Sequence, residues 1–178
     1  MRKSLVLLGV LDDSDVEWML RAGRKRQLKA GDRLITEGVA IDSLHVVLTG
    51  AFGVMLGNKQ RVAALLAGDV VGEMSFLDAR APSATVVAEE VSWVLEVPRQ
   101  AVRERLADNL GFAARFYRAL AVFLSLRMRA TASQLGYGQA RRDDEEADAN
   151  EMPEDVMEQL SLAGSRFLQL QERARVAA

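Results

Sequence analysis

Apolar residues recur at every second position in short runs between Gln27 and Glu96, and glycine closes most of the runs. Leu44, Val46 and Leu48 precede Gly50. Phe52, Val54 and Leu56 precede Gly57-Asn58, a dipeptide suited to a hairpin turn. Leu65, Gly68-Asp69, Val86 and Trp93-Val94-Leu95 continue the series. Short strands at this spacing predict a mainly β fold, a compact antiparallel sandwich or barrel.

Outside this region the period changes to that of a helix. Ser14-Asp15-Val16-Glu17 has capping-box spacing and predicts a helix from Asp15 to about Ala22. Pro98 ends the strands, and a helix is expected from Arg99 to about Ala107. A break near Asp108-Asn109 precedes a longer helix, Leu110 to about Leu135. Ala113, Tyr117, Leu120, Leu124 and Met128 form its stripe, widened by Phe116, Phe123 and Leu126. That surface exceeds what one sheet face needs, so the helix is expected to pair with a second copy. The charged run Arg141-Arg142-Asp143-Asp144-Glu145-Glu146 reads as a linker. Pro153 then opens a final helix with Val156, Leu160, Ala163, Phe167 and Leu170 on one face. The expected organisation is 1–137 for the domain with its long helix, 138–152 for the linker and 153–178 for an amphipathic helix that its own domain, a second subunit or a different protein covers.

The most informative stretch runs from Gly68 to Ala88. Gly72-Glu73-Met74-Ser75 reads as a tight turn opening one helical turn, and Ser83-Ala84-Thr85 leads into the strand Val86-Val87-Ala88. Helix N-termini offer unpaired N–H groups to an anion, and glycine lets the backbone approach a ligand closely. This stretch resembles the phosphate-binding cassette of the cyclic nucleotide-binding domain family. Gly31-Asp32, Glu37-Gly38, Leu44-His45-Val46 and Leu48-Thr49-Gly50 are similar to the glycine punctuation of that family's β-roll. The resemblance covers roughly Leu7 to Leu135. It implies a β-roll, a double-stranded β-helix or jelly roll, with flanking helices and C-terminal helices.

It also implies a site. In the family, amides of the short helix and of the Ser-Ala-Thr run surround a cyclic phosphate, and the glutamate accepts the ribose 2′-hydroxyl. The residues so implicated are Val71, Gly72, Glu73, Met74, Ser75, Arg80, Pro82, Ser83, Ala84 and Thr85, with cAMP or cGMP as ligand. The family's arginine before the Ser-Ala pair is replaced by Pro82, and Arg80 is the nearest substitute. A charge-assisted hydrogen bond contributes roughly 1.5–3 kcal/mol, about one to two decades of affinity. Losing that cation weakens binding without abolishing it, provided the amides remain in place.

Composition excludes several classes. The 178 residues are 49% hydrophobic and 27% charged, with net charge −2, so neither nucleic acid nor an anionic membrane is favoured. The basic cluster Arg21, Arg24, Lys25, Arg26 and Lys29 has no interleaved aromatics and reads as a solvated loop and strand start. There is no cysteine, and one histidine, His45, sits in a strand pattern as a satisfied structural residue. No metal set, catalytic pair or nucleophile emerges, so no enzyme is expected. The run Leu5–Leu8 is too short for a signal peptide, and a cytoplasmic location follows. The catabolite activator branch of the family carries a helix-turn-helix output; the residues after Leu135 offer one helix, so DNA reading is not expected. Two readings remain. One is a homodimeric sensor domain that binds a cyclic nucleotide. The other is a ligand-independent dimeric adaptor with a degenerate site.

Overall fold

A computed structural model describes residues 9–57, 60–134 and 163–173. Helix α1, Asp13–Ala22, is followed by strands β1 Arg24–Leu28, β2 Arg33–Ile35, β3 Ser43–Thr49, β4 Ala51–Leu56, β5 Gln60–Leu66 and β6 Val70–Val71. The short helix α2, Glu73–Asp78, interrupts the strands before β7 Thr85–Ala88 and β8 Ser92–Pro98. Helices α3, Arg99–Asp108, and α4, Leu110–Gln134, follow, and a further helix, α5, spans residues 163–173. The strands form two antiparallel sheets, ordered β1-β8-β3-β6 and β2-β7-β4-β5. This is the β-roll with flanking helices that the resemblance implied.

Strand β3 explains the division of the interior. Its residues Ser43 to Leu48 are all buried, so the expected one-sided alternation is not what burial shows. Both faces are covered, by different partners. Leu44, Val46 and Leu48 join Leu95 and Val97 in a core shared with α1, α3, α4 and α5. Val47 joins Phe52, Val54, Val86 and Val94 in a second core between the sheets. Side chains alternating across a pleated strand make such a division automatic.

Local chemistry fixes the helices. The cap of α1 is two residues earlier than the sequence suggested: Asp12 accepts from the Asp15 amide at 2.9 Å, and the Asp15 carboxylate accepts from the Asp12 amide at 3.1 Å. Buried Asp15 also pairs with Arg115 of α4 at 2.6 Å, which fastens α1 to the long helix. Pro98 precedes α3, and the Asn109 side chain accepts from the Phe112 amide at 2.8 Å as α4 begins.

The stripe expected on α4 divides in two. Phe112, Phe116, Ala119, Leu120 and Phe123 face the core of their own chain, with Phe116, Leu120 and Phe123 only 2%, 1% and 3% exposed. One subunit therefore buries the rings that had suggested a second copy. Leu110, Tyr117 and Met128 lie on the other face and are exposed. Of the last expected helix, Ala163, Phe167 and Leu170 are buried, so its apolar face is covered by its own domain. Arg166 bonds to Asp13 at 2.6 Å and to the Leu11 carbonyl, and Gln171 donates to the Leu48 carbonyl. Pro153, Val156, Leu160 and the Arg141–Glu146 run lie outside the described residues, as does Leu135.

Candidate ligand-binding site

A cavity of about 390 Å³ opens between the α2 turn, the segment before β7, the β4–β5 hairpin and α4. Its floor is apolar, formed by Ile35, Val54, Leu65 and Val86 of the inter-sheet core. One wall is the run Val71, Gly72, Glu73, Met74 and Ser75, and the opposite wall holds Arg80, Pro82, Ser83 and Ala84. Nine of the ten residues implicated from sequence thus meet around one space. Thr85 does not line it; its hydroxyl accepts from the Glu37 amide at 3.1 Å.

Gly72 is what lets the turn form. It has φ +92°, and a Cβ there would lie 2.8 Å from the Ile41 side chain and 3.1 Å from the Ser43 carbonyl. Any L-residue would be both strained and crowded. Ala79, at φ +58°, closes the short helix in the left-handed region. The Pro82 carbonyl accepts from the Gly38 amide at 2.8 Å, which ties the second wall to the loop after β2.

Glu73 is only 2% exposed. Burial pushes its carboxyl above the usual carboxylate range, against the opposing pull of Arg127 and of hydrogen bonds from the Glu73 and Gly72 amides. Arg127 of α4 reaches it at 2.5 Å and also lies over the Phe123 ring, 5.5 Å from its centre. The amides of Gly72 and Glu73 favour the carboxylate, and the other first-turn amides of α2 with the Ser83-Ala84 segment are the donors an incoming anion would meet. Arg80 is exposed at the rim and has no ion-pair partner among the described residues.

Sequence reasoning missed Arg127 and Arg99. Both lie on helices, far along the chain from the cassette. Arg99 donates to the carbonyls of Ser75 and Ile41 and lies over Phe76, 5.7 Å from the ring centre. Phe76 in turn meets Phe116 edge-on, with centroids 5.8 Å apart. The one available signal was Arg127 following Phe123 by four residues, which puts it on the same helical face. His45 differs from expectation. It is buried with Nε2 3.6 Å from Glu96, but its Nδ1, beside the Val71 backbone, makes no well-formed hydrogen bond among the described residues. Those residues bring together no cluster of His, Cys, Asp and Glu able to hold a metal, and none of their helices is long and apolar enough to cross a membrane.

Comparison with known proteins agrees with this geometry. Residues 25–109 match the family model described as "Cyclic nucleotide-binding domain". A cyclic nucleotide-binding domain from Methylobacillus flagellatus KT aligns over 74% of this chain and 81% of its own, with TM-score 0.67 and 25% identity. The catabolite activator protein of Thermus thermophilus aligns over 97% of this chain and 85% of its own, with TM-score 0.62 and 22% identity, a likeness of fold. A protein named Glutaminase 2, from Bradyrhizobium diazoefficiens, is 30% identical over 72% of this chain. The match covers 20% of that protein's length. Residues 25–109, on a β-roll whose cassette turn, glutamate and Ser-Ala pair surround one cavity, belong to the cyclic nucleotide-binding domain family.

Proposed function

We propose that this chain is a regulatory domain of the cytoplasm that takes a cyclic nucleotide, cAMP or cGMP, into the cavity and reports its presence through α4. The observation that carries the reading is the Glu73–Arg127 pair at 2.5 Å. The glutamate that would receive the sugar hydroxyl is held by the long helix, so a ligand must compete with that helix or recruit it. Phe76 against Phe116 and Arg99 on the Ser75 carbonyl give the same short helix two further mechanical links. Arg80 and Arg127 are the cations that line the cavity where Pro82 replaces the cassette arginine. The role is regulatory rather than catalytic, and cofactor-free.

The proposed assembly is a homodimer through the outer face of α4. Leu110, Tyr117 and Leu124 recur every seven residues, and Ala114, Ala121 and Met128 repeat at the same interval four residues on. This is a heptad seam. Leu110 and Met128, 84% and 72% exposed, are the most open of its large side chains.

Titrating cAMP and cGMP into the whole protein by calorimetry tests the ligand. Saturable heat from either supports the sensor. Silence at millimolar concentration, together with an intact dimer, would leave the second reading, a ligand-independent adaptor. One observation favours that reading: Glu73 is already paired with Arg127 at 2.5 Å.

A further inference from the structure

A second cavity, of about 480 Å³, shares no lining residue with the first and lies between the end of α1, the start of β1 and α5. Four cations, Arg21, Arg24, Lys25 and Arg173, line it against a single carboxylate, Glu17. Glu17 is taken by Arg173 at 3.1 Å, and Arg24 is shared with Glu96 at 2.8 Å. Arg21 and Lys25 have no ion-pair partner among the described residues. Arg21 in part offsets the dipole at the end of α1, but Lys25 has no such role. Like charges around one concavity repel, and an anion supplies what the chain does not. The back of the cleft is apolar, Leu20 and Leu95, and close-set. A Cβ on Gly23 would lie 2.8 Å from the Leu95 side chain.

We infer that this cleft binds a compact polyanion of linked phosphate groups. Arg21, Lys25 and Arg173 edge one half-open cleft, with Arg24 at its margin beside Glu96, and a chain of net charge −2 repels an extended polyanion such as a nucleic acid. Linked phosphates present several oxygens to guanidinium forks at short range. The ligand would bridge α1 and β1 to Arg173, and so fasten α5 to the domain. The site is independent of the cassette cavity and of the function proposed for it.

The test uses the full chain with inorganic tripolyphosphate as probe, followed by calorimetry at low and high salt. Saturable binding is expected that falls at least tenfold in Arg21→Gln and again in Lys25→Gln, and is unchanged in Arg80→Gln. Arg21 is exposed and Lys25 half-buried, and a thermal melt confirms that both variants fold. Amide exchange in residues 163–173 should slow with the probe, and not in Arg173→Gln. Adenosine triphosphate binding more tightly than the probe would support a nucleoside-bearing ligand; equal affinity would support the phosphate chain alone. Absence of binding at low salt would overturn the inference, as would equal binding by the Arg21→Gln/Lys25→Gln variant or loss in Arg80→Gln. A DNA oligonucleotide that binds more tightly than the probe, through the same residues, would replace it with a nucleic-acid surface.

Discussion

The Arg127 guanidinium stands 2.5 Å from the Glu73 carboxylate, joining the head of the cassette helix to a helix 54 residues further along the chain. The carboxylate is almost wholly buried, whereas the Arg127 side chain is 39% exposed. Removing either partner therefore has different consequences. Arg127→Met strands a buried charge; Glu73→Gln leaves a neutral group and a cation that can turn to water. After allowance for the solvent at Arg127, the first should cost about 1–2 kcal/mol in urea denaturation, and the second less. Equal losses would mean that the pair carries no such asymmetry.

The same carboxylate predicts a pH slope. Its folded-state pKa is raised, chiefly by burial, so the unfolded chain releases this proton first as pH rises. Between the two values the native state binds more protons, and its contribution to stability falls as pH rises through the window above 4.5. Glu73→Gln should flatten that segment of a plot of stability against pH.

His45 acts in the opposite sense. Burial depresses its pKa, with Arg26 adding to the effect, while Glu96 and Asp42 oppose it. The unfolded chain takes up this proton first as pH falls below 6.5, so stability is lost on acidification through the folded-state value. Chemical denaturation across this range should show a shallower loss in His45→Gln than in the wild type.

At the cassette, Glu73→Ala should weaken cyclic nucleotide binding by roughly 1.5–3 kcal/mol, the scale of a charged hydrogen bond. Pro82→Arg should strengthen it comparably, because a guanidinium fork suits phosphate oxygens. Calorimetry on Arg80→Ala then separates two arrangements. Lost affinity assigns Arg80 the missing charge, and unchanged affinity leaves it to Arg127 and the amides.

For the dimer, Tyr117→Glu or Met128→Glu should shift sedimentation toward monomer with the melting temperature little changed. Leu120→Glu should instead unfold the protein, since Leu120 is 1% exposed inside its own subunit. A wild type that sediments as monomer at tens of micromolar would end the proposal.

The sheet region was legible because each strand signal is local. Alternation in Phe52–Leu56 and glycines at Gly31, Gly38, Gly50 and Gly57, all with positive φ, mark strands and turns without reference to the rest of the chain. The cassette was legible for the same reason, its two walls lying within about fifteen residues of each other. The helical surround was not. Phe116, Leu120, Leu124 and Met128 lie on neighbouring lines of one helix, and periodicity does not tell which line meets its own sheet. That choice depends on where α5 lands and on Arg115 finding Asp15, contacts across 100 residues that no spacing encodes. Arg127 was invisible for the same reason.

The two faces of β3 also bear on how such a domain changes over generations. The cavity floor, Val54, Leu65 and Val86, belongs to the core between the sheets, while Phe76, Phe116, Phe123 and Phe167 belong to the core under the helices. Resizing the floor to suit another base or another ligand leaves the helical packing untouched, and repacking α4 against a new neighbour leaves the floor alone. What the protein recognises and how it responds are therefore separately heritable, and they meet at only a few side chains, among them Glu73, Phe76 and Arg127.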